Sequence, residues 1–268
     1  VRLDLLEWFA NSARPGVELG SVFEVALVYS AALQDGDVWP EAGPTLVALE
    51  DALTPISSSD RRSEPGSEQG SDLESEQVFD LGKSTEVVES VLQLLREQGF
   101  RGNIEAYEDP RNSLMDRVLE RHLGLPITLC ALAQHLCAVC GVTLHGISFP
   151  GHFLVGLGLD PEASAQPLVW DPFRGGRRLQ LDELATLYTS IVGSHVEADS
   201  EQLRSQLRPC DPRWMLTRML ENLRRHFGLA GERERVADTL ALLAVLHPEL
   251  ERISSLLDEH TLRRDWLN

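Results

Sequence analysis

The sequence predicts an α+β fold, a buried helix set against an antiparallel sheet and flanked by helical N- and C-terminal regions. Three observations carry that expectation. Residues 127–140 hold only three polar side chains, Thr128, Gln134 and His135, and a helix apolar almost all round is buried on most sides. Residues 142–149, 153–159 and 168–171 then alternate or run apolar as strands do. The segments before residue 56 and after residue 205 carry helical spacing instead.

In chain order, residues 3–13 and 19–34 are expected as helices, the second with Leu19, Phe23, Ala26, Leu27 and Ser30 as its core-facing stripe. Pro44 is placed at the first turn of a third, where its missing N–H costs nothing, with Leu46, Val47, Leu49 and Leu53 apolar. Residues 1–56 thus form a helical subdomain. Residues 57–77 contain seven serines, six acids and one large apolar residue, Leu73. Such a stretch cannot bury enough surface to offset its chain entropy, so 57–82 is expected to be a disordered acidic linker or loop.

A helix near 83–98 carries Val87, Val88, Val91, Leu92 and Leu95 and stops at Gly99. Residues 99–112, rich in Gly, Asn, Asp and Pro, are a loop. Ser113 with Asp116 resembles a capping box for a helix over 114–122. Gly124 and Pro126 break that helix, and Pro126 opens the buried one, which ends at Gly141. Residues 181–192 are helical, 194–212 are a polar connection, and 214–227 and 233–247 pair as antiparallel helices before a last helix near 250–262. Arg218, Arg224 and Arg225 read as a solvated helix side.

Net charge is −18 over 268 residues, which argues against nucleic acid or an anionic membrane as partner. No stretch is long and apolar enough to cross a bilayer. The start of the chain is acidic and amphipathic, not a secretory leader, and four cysteines at 130, 137, 140 and 210 suit reduced thiols. A cytoplasmic location is therefore expected.

The blocks GFRGN, DPRNSLMDRVLERHLGLPITL, FPGHFLVG and DPFRGGR occur in that order between residues 99 and 177. Together they resemble the SirB1 family of transglutaminase-like domain proteins. The resemblance implies a transglutaminase-like, papain-like core over 83–195 and a tetratricopeptide-like helical region over 205–268. It also implies that His152 and Asp171 are the general base and its orienting partner.

The spacing supports that pairing independently. A hairpin centred on Pro161-Glu162 would set His152 directly opposite Asp171 on one sheet face, with Gly156 and Gly158 leaving room for a helix or substrate to approach. A structural reading stands beside it: His152 closes the Pro150-Gly151 turn and Asp171 caps the Asp-Pro-Phe turn.

A papain-type thiol belongs at the start of the buried helix, where the helix dipole lowers its pKa. Pro126, Ile127 and Thr128 stand there instead. Thr128 and Cys130 are the alternative nucleophiles, two residues and about 200° apart on the helix; if Thr128 faces His152, Cys130 faces away. Cys137 and Cys140 with His135 lack the further ligands of a metal site, so no metal and no cofactor are expected. Asp109, Asn112, Arg101 and Asn103 read as turn and capping residues, and Gly175-Gly176 as a tight turn. The expectation for function is a non-enzymatic or regulatory protein that keeps the His/Asp pair and meets a protein or peptide partner through its helical flanks. The alternative is a hydrolase or acyl transferase using His152 and Asp171 with Cys130 or Thr128.

Overall fold

In the computed structural model, which describes residues 8–9, 11–13, 19–34, 39–59, 81–159 and 166–248, the apolar helix lies at the centre. The helices in chain order are α1 (Val22–Ala32), α2 (Trp39–Ser59), α3 (Leu81–Glu97), α4 (Met115–Arg121), α5 (Pro126–Val139), α6 (Leu181–Val192), α7 (Glu201–Ser205), α8 (Pro212–Ala230) and α9 (Arg233–Leu246). The strands are β1 (Arg101–Gly102), β2 (Leu123–Gly124), β3 (His145–Ile147), β4 (Leu154–Leu157), β5 (Leu168–Asp171) and β6 (Arg177–Leu179). β1 and β2 form a short parallel pair, and β3-β4-β5-β6 an antiparallel sheet in that order.

Helix α5 buries ten of its fourteen residues and packs against α1 to α4, α8, both sheets and the turn after β5. One continuous apolar core runs through it, from Phe9 and Phe23 at one end of the chain to Leu243 and Leu246 at the other. At about 1.5–3 kcal/mol per fully buried large apolar side chain, this shared core is the main stabilising term. The inner face of the sheet, Val155, Leu157 and Trp170, joins that core. The outer face, Ile147, Leu154, Val169 and Leu179, is covered by Leu184 and Tyr188 of α6 and Leu203 of α7. The sheet is therefore sandwiched between two helical layers, which is why its strands read as near-continuous apolar runs.

Several expectations are corrected. Helix α2 begins a turn earlier than Pro44, which lies inside it, and Val47 is half-exposed while Leu46, Leu49 and Leu53 are buried. Residues 57–59 complete α2 and 81–82 begin α3; the rest of the acidic stretch, and the helix near 250–262, lie outside the described residues. Ser113 does not cap α4 but ends the 3-10 turn before it: Leu114 is the N-cap of α4, and the Met115 N–H donates to Ser30 Oγ of α1 at 2.8 Å. A hydroxyl 85 residues away does the local cap's work, which no local pattern announces. β1 and α7 arise where a loop and a polar connection were expected, and β2 and β6 in stretches for which no element was expected. Arg225 is solvated as expected, its side chain 58% exposed, and there it pairs with Glu108 of the 103–109 loop at 2.5 Å.

Candidate functional site

Phe149 to His152 form a turn, with His152 N–H donating to Phe149 O at 3.0 Å. Gly151 adopts φ +62°, a left-handed conformation. The turn delivers His152 to the mouth of β4. Asp171 ends β5, where its carboxylate also accepts the Arg174 N–H at 3.2 Å and so caps the 3-10 turn Pro172–Arg174. His152 Nε2 lies 3.0 Å from Asp171 Oδ2; the histidine side chain is 9% exposed and the aspartate not at all.

The contact is not the one the hairpin midpoint implies. Val155 stands opposite Trp170 and Leu157 opposite Leu168, so continuing the register sets Leu154, not His152, against Asp171. The two-residue offset keeps the face parity, and the turn brings the imidazole diagonally back to the carboxylate. Structural and functional readings of the two residues thus coincide in one geometry: a turn-closing histidine and a capping aspartate are also a hydrogen-bonded dyad. Nor does Gly156 of β4 open space for a substrate. A Cβ on Gly156 would sit 2.8 Å from Leu159 Cδ2 and 2.9 Å from Ile147 Cδ1, so that space is filled, while Gly158 serves a φ of +62°.

Phe173 steadies the dyad. Its ring meets His152 edge-on at 5.7 Å and Tyr107 at 6.2 Å. A Cβ on Gly102 of β1 would clash with the Phe173 ring, 2.3 Å from its Cε2. Gly102 and Phe173 went unmarked as site residues in the sequence, although both lie in the blocks that carry the family resemblance.

The two candidate nucleophiles point to different sides of α5. Thr128 is fully buried. Its Oγ1 accepts the Leu125 N–H at 2.9 Å and gives its single proton to Asn112 O at 3.0 Å or Leu125 O at 3.1 Å. It faces the 103–112 loop, not His152. Asn112 is spent likewise: Asn103 Nδ2 donates to its Oδ1 at 3.0 Å, and its own Nδ2 reaches Ala106 O at 2.7 Å. Asp109 caps the turn after it and holds Arg111, while the Arg101 guanidinium bonds the nearby Gly99 carbonyl. Replacing Thr128 with valine is expected to cost about 1 kcal/mol, the net contribution of a hydrogen bond, since the Leu125 N–H and the Asn112 carbonyl would keep only their 3.3 Å bond to each other. Urea unfolding measures it, and Thr128→Ser should recover most of the loss.

Cys130 is the candidate turned toward the dyad. Its Sγ lies 3.6 Å from the carbonyl of Phe153, the residue after His152. Burial pushes the thiol pKa well above its ordinary value, and the nearby Asp171 carboxylate pushes it further. A thiolate there is disfavoured on both counts. Among the described residues, the ring nitrogens of His152 have one hydrogen-bond partner, Asp171.

His135 faces away from the site: Nε2 meets Glu50 Oε1 at 2.9 Å and the ring stacks on Phe23 at 4.4 Å. Cys137 is buried and Cys140 half-buried, both with thiol pKa values raised mainly by burial. Among the described residues no three His, Cys, Asp or Glu side chains gather as a metal site would need, and no helix is long and apolar enough to cross a membrane.

A strand-end His–Asp dyad beside a central helix, in an α+β fold, is the arrangement of papain-like and transglutaminase-like proteins. The chain belongs to the transglutaminase-like superfamily, which it matches over residues 61–221. It is similar to a UPF0162 protein of Xylella fastidiosa, 38% identical over 162 residues that cover 59% of this chain and 56% of that one. A UPF0162 protein of Pseudomonas aeruginosa is 31% identical over 153 residues, 57% of this chain and 53% of its own. F-box only protein 21 of Mus musculus is 26% identical over 184 residues, 66% of this chain and 28% of that protein. The chain thus spans about half the length of the bacterial relatives. No solved structure matches it.

Proposed function

We propose that this chain is a non-enzymatic, regulatory member of the transglutaminase-like superfamily, in which the His152–Asp171 dyad holds a ligand site together and turns nothing over. One observation carries the reading: neither candidate nucleophile is poised for the dyad. The Thr128 hydroxyl is committed to the backbone on the far side of α5, and the Cys130 thiol is buried, raised in pKa and engaged with a carbonyl. Acyl transfer needs a nucleophile within hydrogen-bond reach of its base. The helical flanks, including the α8–α9 pair read as tetratricopeptide-like, supply protein contacts, and four free thiols suit the cytoplasm.

The orientation of Cys130 favours it over Thr128 in the alternative reading, a cysteine hydrolase or acyl transferase. Iodoacetamide labelling of the full chain at neutral pH, followed residue by residue by mass spectrometry, separates the two. The half-buried Cys140 and Cys210 should be modified first, with Cys130 lagging at a rate indifferent to His152→Ala. Fast, selective modification of Cys130 that disappears in His152→Ala would overturn the non-enzymatic reading.

A further inference from the structure

Helix α6 buries Leu184, Ala185 and Tyr188 against the sheet. Its outward side carries Asp182, Thr186 and Ser190, spaced i, i+4, i+8 and therefore in one row. Between this row and the turn after β5 lies an open groove of about 390 Å³. Both of its walls are fastened to the dyad. Arg174 lines one wall, its N–H on Asp171 Oδ1 and its Nε 3.8 Å from Asp171 Oδ2. Ser190 lines the other, and the next residue, Ile191, lies over Gly151 so closely that a Cβ there would be 2.8 Å from Ile191 Cγ2. Gly151 is the neighbour of His152.

The charges in the groove are not all satisfied. Arg177 is paired with Glu183 at 2.6 Å. The Arg174 side chain is 52% exposed. Its Nη groups have no ion-pair partner among the described residues, and Asp171 is already shared with His152. Thr186 and Ser190 give their protons back to helix carbonyls, Asp182 O at 2.8 Å and Leu187 O at 2.7 Å, which leaves their oxygens to accept. A forked cation at the inner end, with acceptors along one wall, complements a carboxylate followed by N–H donors. Asp182 and Glu183 also line it; Glu183 is spent on Arg177, and the Asp182 carboxylate adds a further acceptor for N–H donors to the α6 wall.

We propose that this groove binds a peptide segment, seating an acidic side chain on Arg174 beside the His152–Asp171 dyad and its main-chain N–H groups on Thr186 and Ser190. The inference rests on the reading of the dyad as a binding site and names the ligand class for it.

The test titrates the full ¹⁵N-labelled chain with acetyl-Ala-Glu-Ala-amide and with its glutamine counterpart, following amide shifts by NMR. The expected result is saturable shifts at residues 174, 186, 187 and 190 with the glutamate peptide. Binding should fall about tenfold with the glutamine peptide and in Arg174→Gln, one bidentate charge-assisted contact being lost. An Arg174→Gln spectrum unchanged beyond the groove shows that the variant is folded. Equal response to both peptides, shifts elsewhere, or none at all would overturn the proposal. These outcomes are separate from the fate of the non-enzymatic reading: cleavage or acyl transfer of the bound peptide sinks that reading and leaves the groove, whereas absent shifts sink the groove alone.

Discussion

Replacing Trp170 with alanine is expected to lower stability by about 3–5 kcal/mol, the usual cost of removing a buried indole and leaving a cavity. Trp170 is 1% exposed and heads the fully buried large side chains. It stands opposite Val155 on β4 and Arg178 on β6, so it ties the sheet to the helical core in the residue just before Asp171. A domain is typically stable by about 5–15 kcal/mol, so the loss is about a fifth of the total or more. Urea unfolding followed by far-UV circular dichroism measures it. Trp170→Phe fills most of the volume and should lose far less; equal losses in the two variants would mean that the cavity is not the cause.

The second large effect is expected at Asp171. Alanine there strips two hydrogen bonds from a fully buried carboxylate, one from His152 and one from the Arg174 N–H. Bonds to charged groups contribute about 1.5–3 kcal/mol each, and relief of the buried charge offsets part of the loss, so a net cost of about 2–3 kcal/mol follows. Asparagine makes the sharper test. An ionised carboxylate can only accept, which places the proton of a neutral His152 on Nε2. An amide that turns its NH₂ toward the ring reverses the tautomer, as removal of a triad carboxylate does. The ¹⁵N shifts of the imidazole should therefore exchange between Nδ1 and Nε2 in Asp171→Asn. An unchanged tautomer together with unchanged stability in Asp171→Ala would mean that the dyad bond holds nothing in place.

The elements of the site were legible where periodicity is local. The apolar run of α5 specified a buried helix within a residue of its start, and the limits of β5 and α6, Leu168–Asp171 and Leu181–Val192, coincide with the expected ones. The His152–Asp171 contact was legible too, although for a reason that needed adjustment: face parity survives a two-residue slip in register, whereas direct opposition does not.

What was not legible required a distant partner. β1 exists because Arg101 and Gly102 pair with Leu123 and Gly124, and β6 because it adds an edge to β5. Neither two- or three-residue strand has a pattern of its own. Helix α4 is capped from Ser30 rather than from Ser113 beside it. The space left by Gly102 belongs to Phe173, 71 positions away in sequence.

From the sequence by itself came the α+β class, the central helix, the charge that disfavours nucleic acid, the His–Asp pair and the missing thiol at the helix start, because each lies in residue type and short-range spacing. Only the tertiary structure decided where the two candidate nucleophiles stand. Rotation about the α5 axis turns Cys130 toward the dyad and Thr128 away from it, and 200° of helical phase does not say which face the sheet will cover. The core settled that by burying both, so that desolvation holds the Cys130 thiol protonated and the backbone claims the Thr128 hydroxyl.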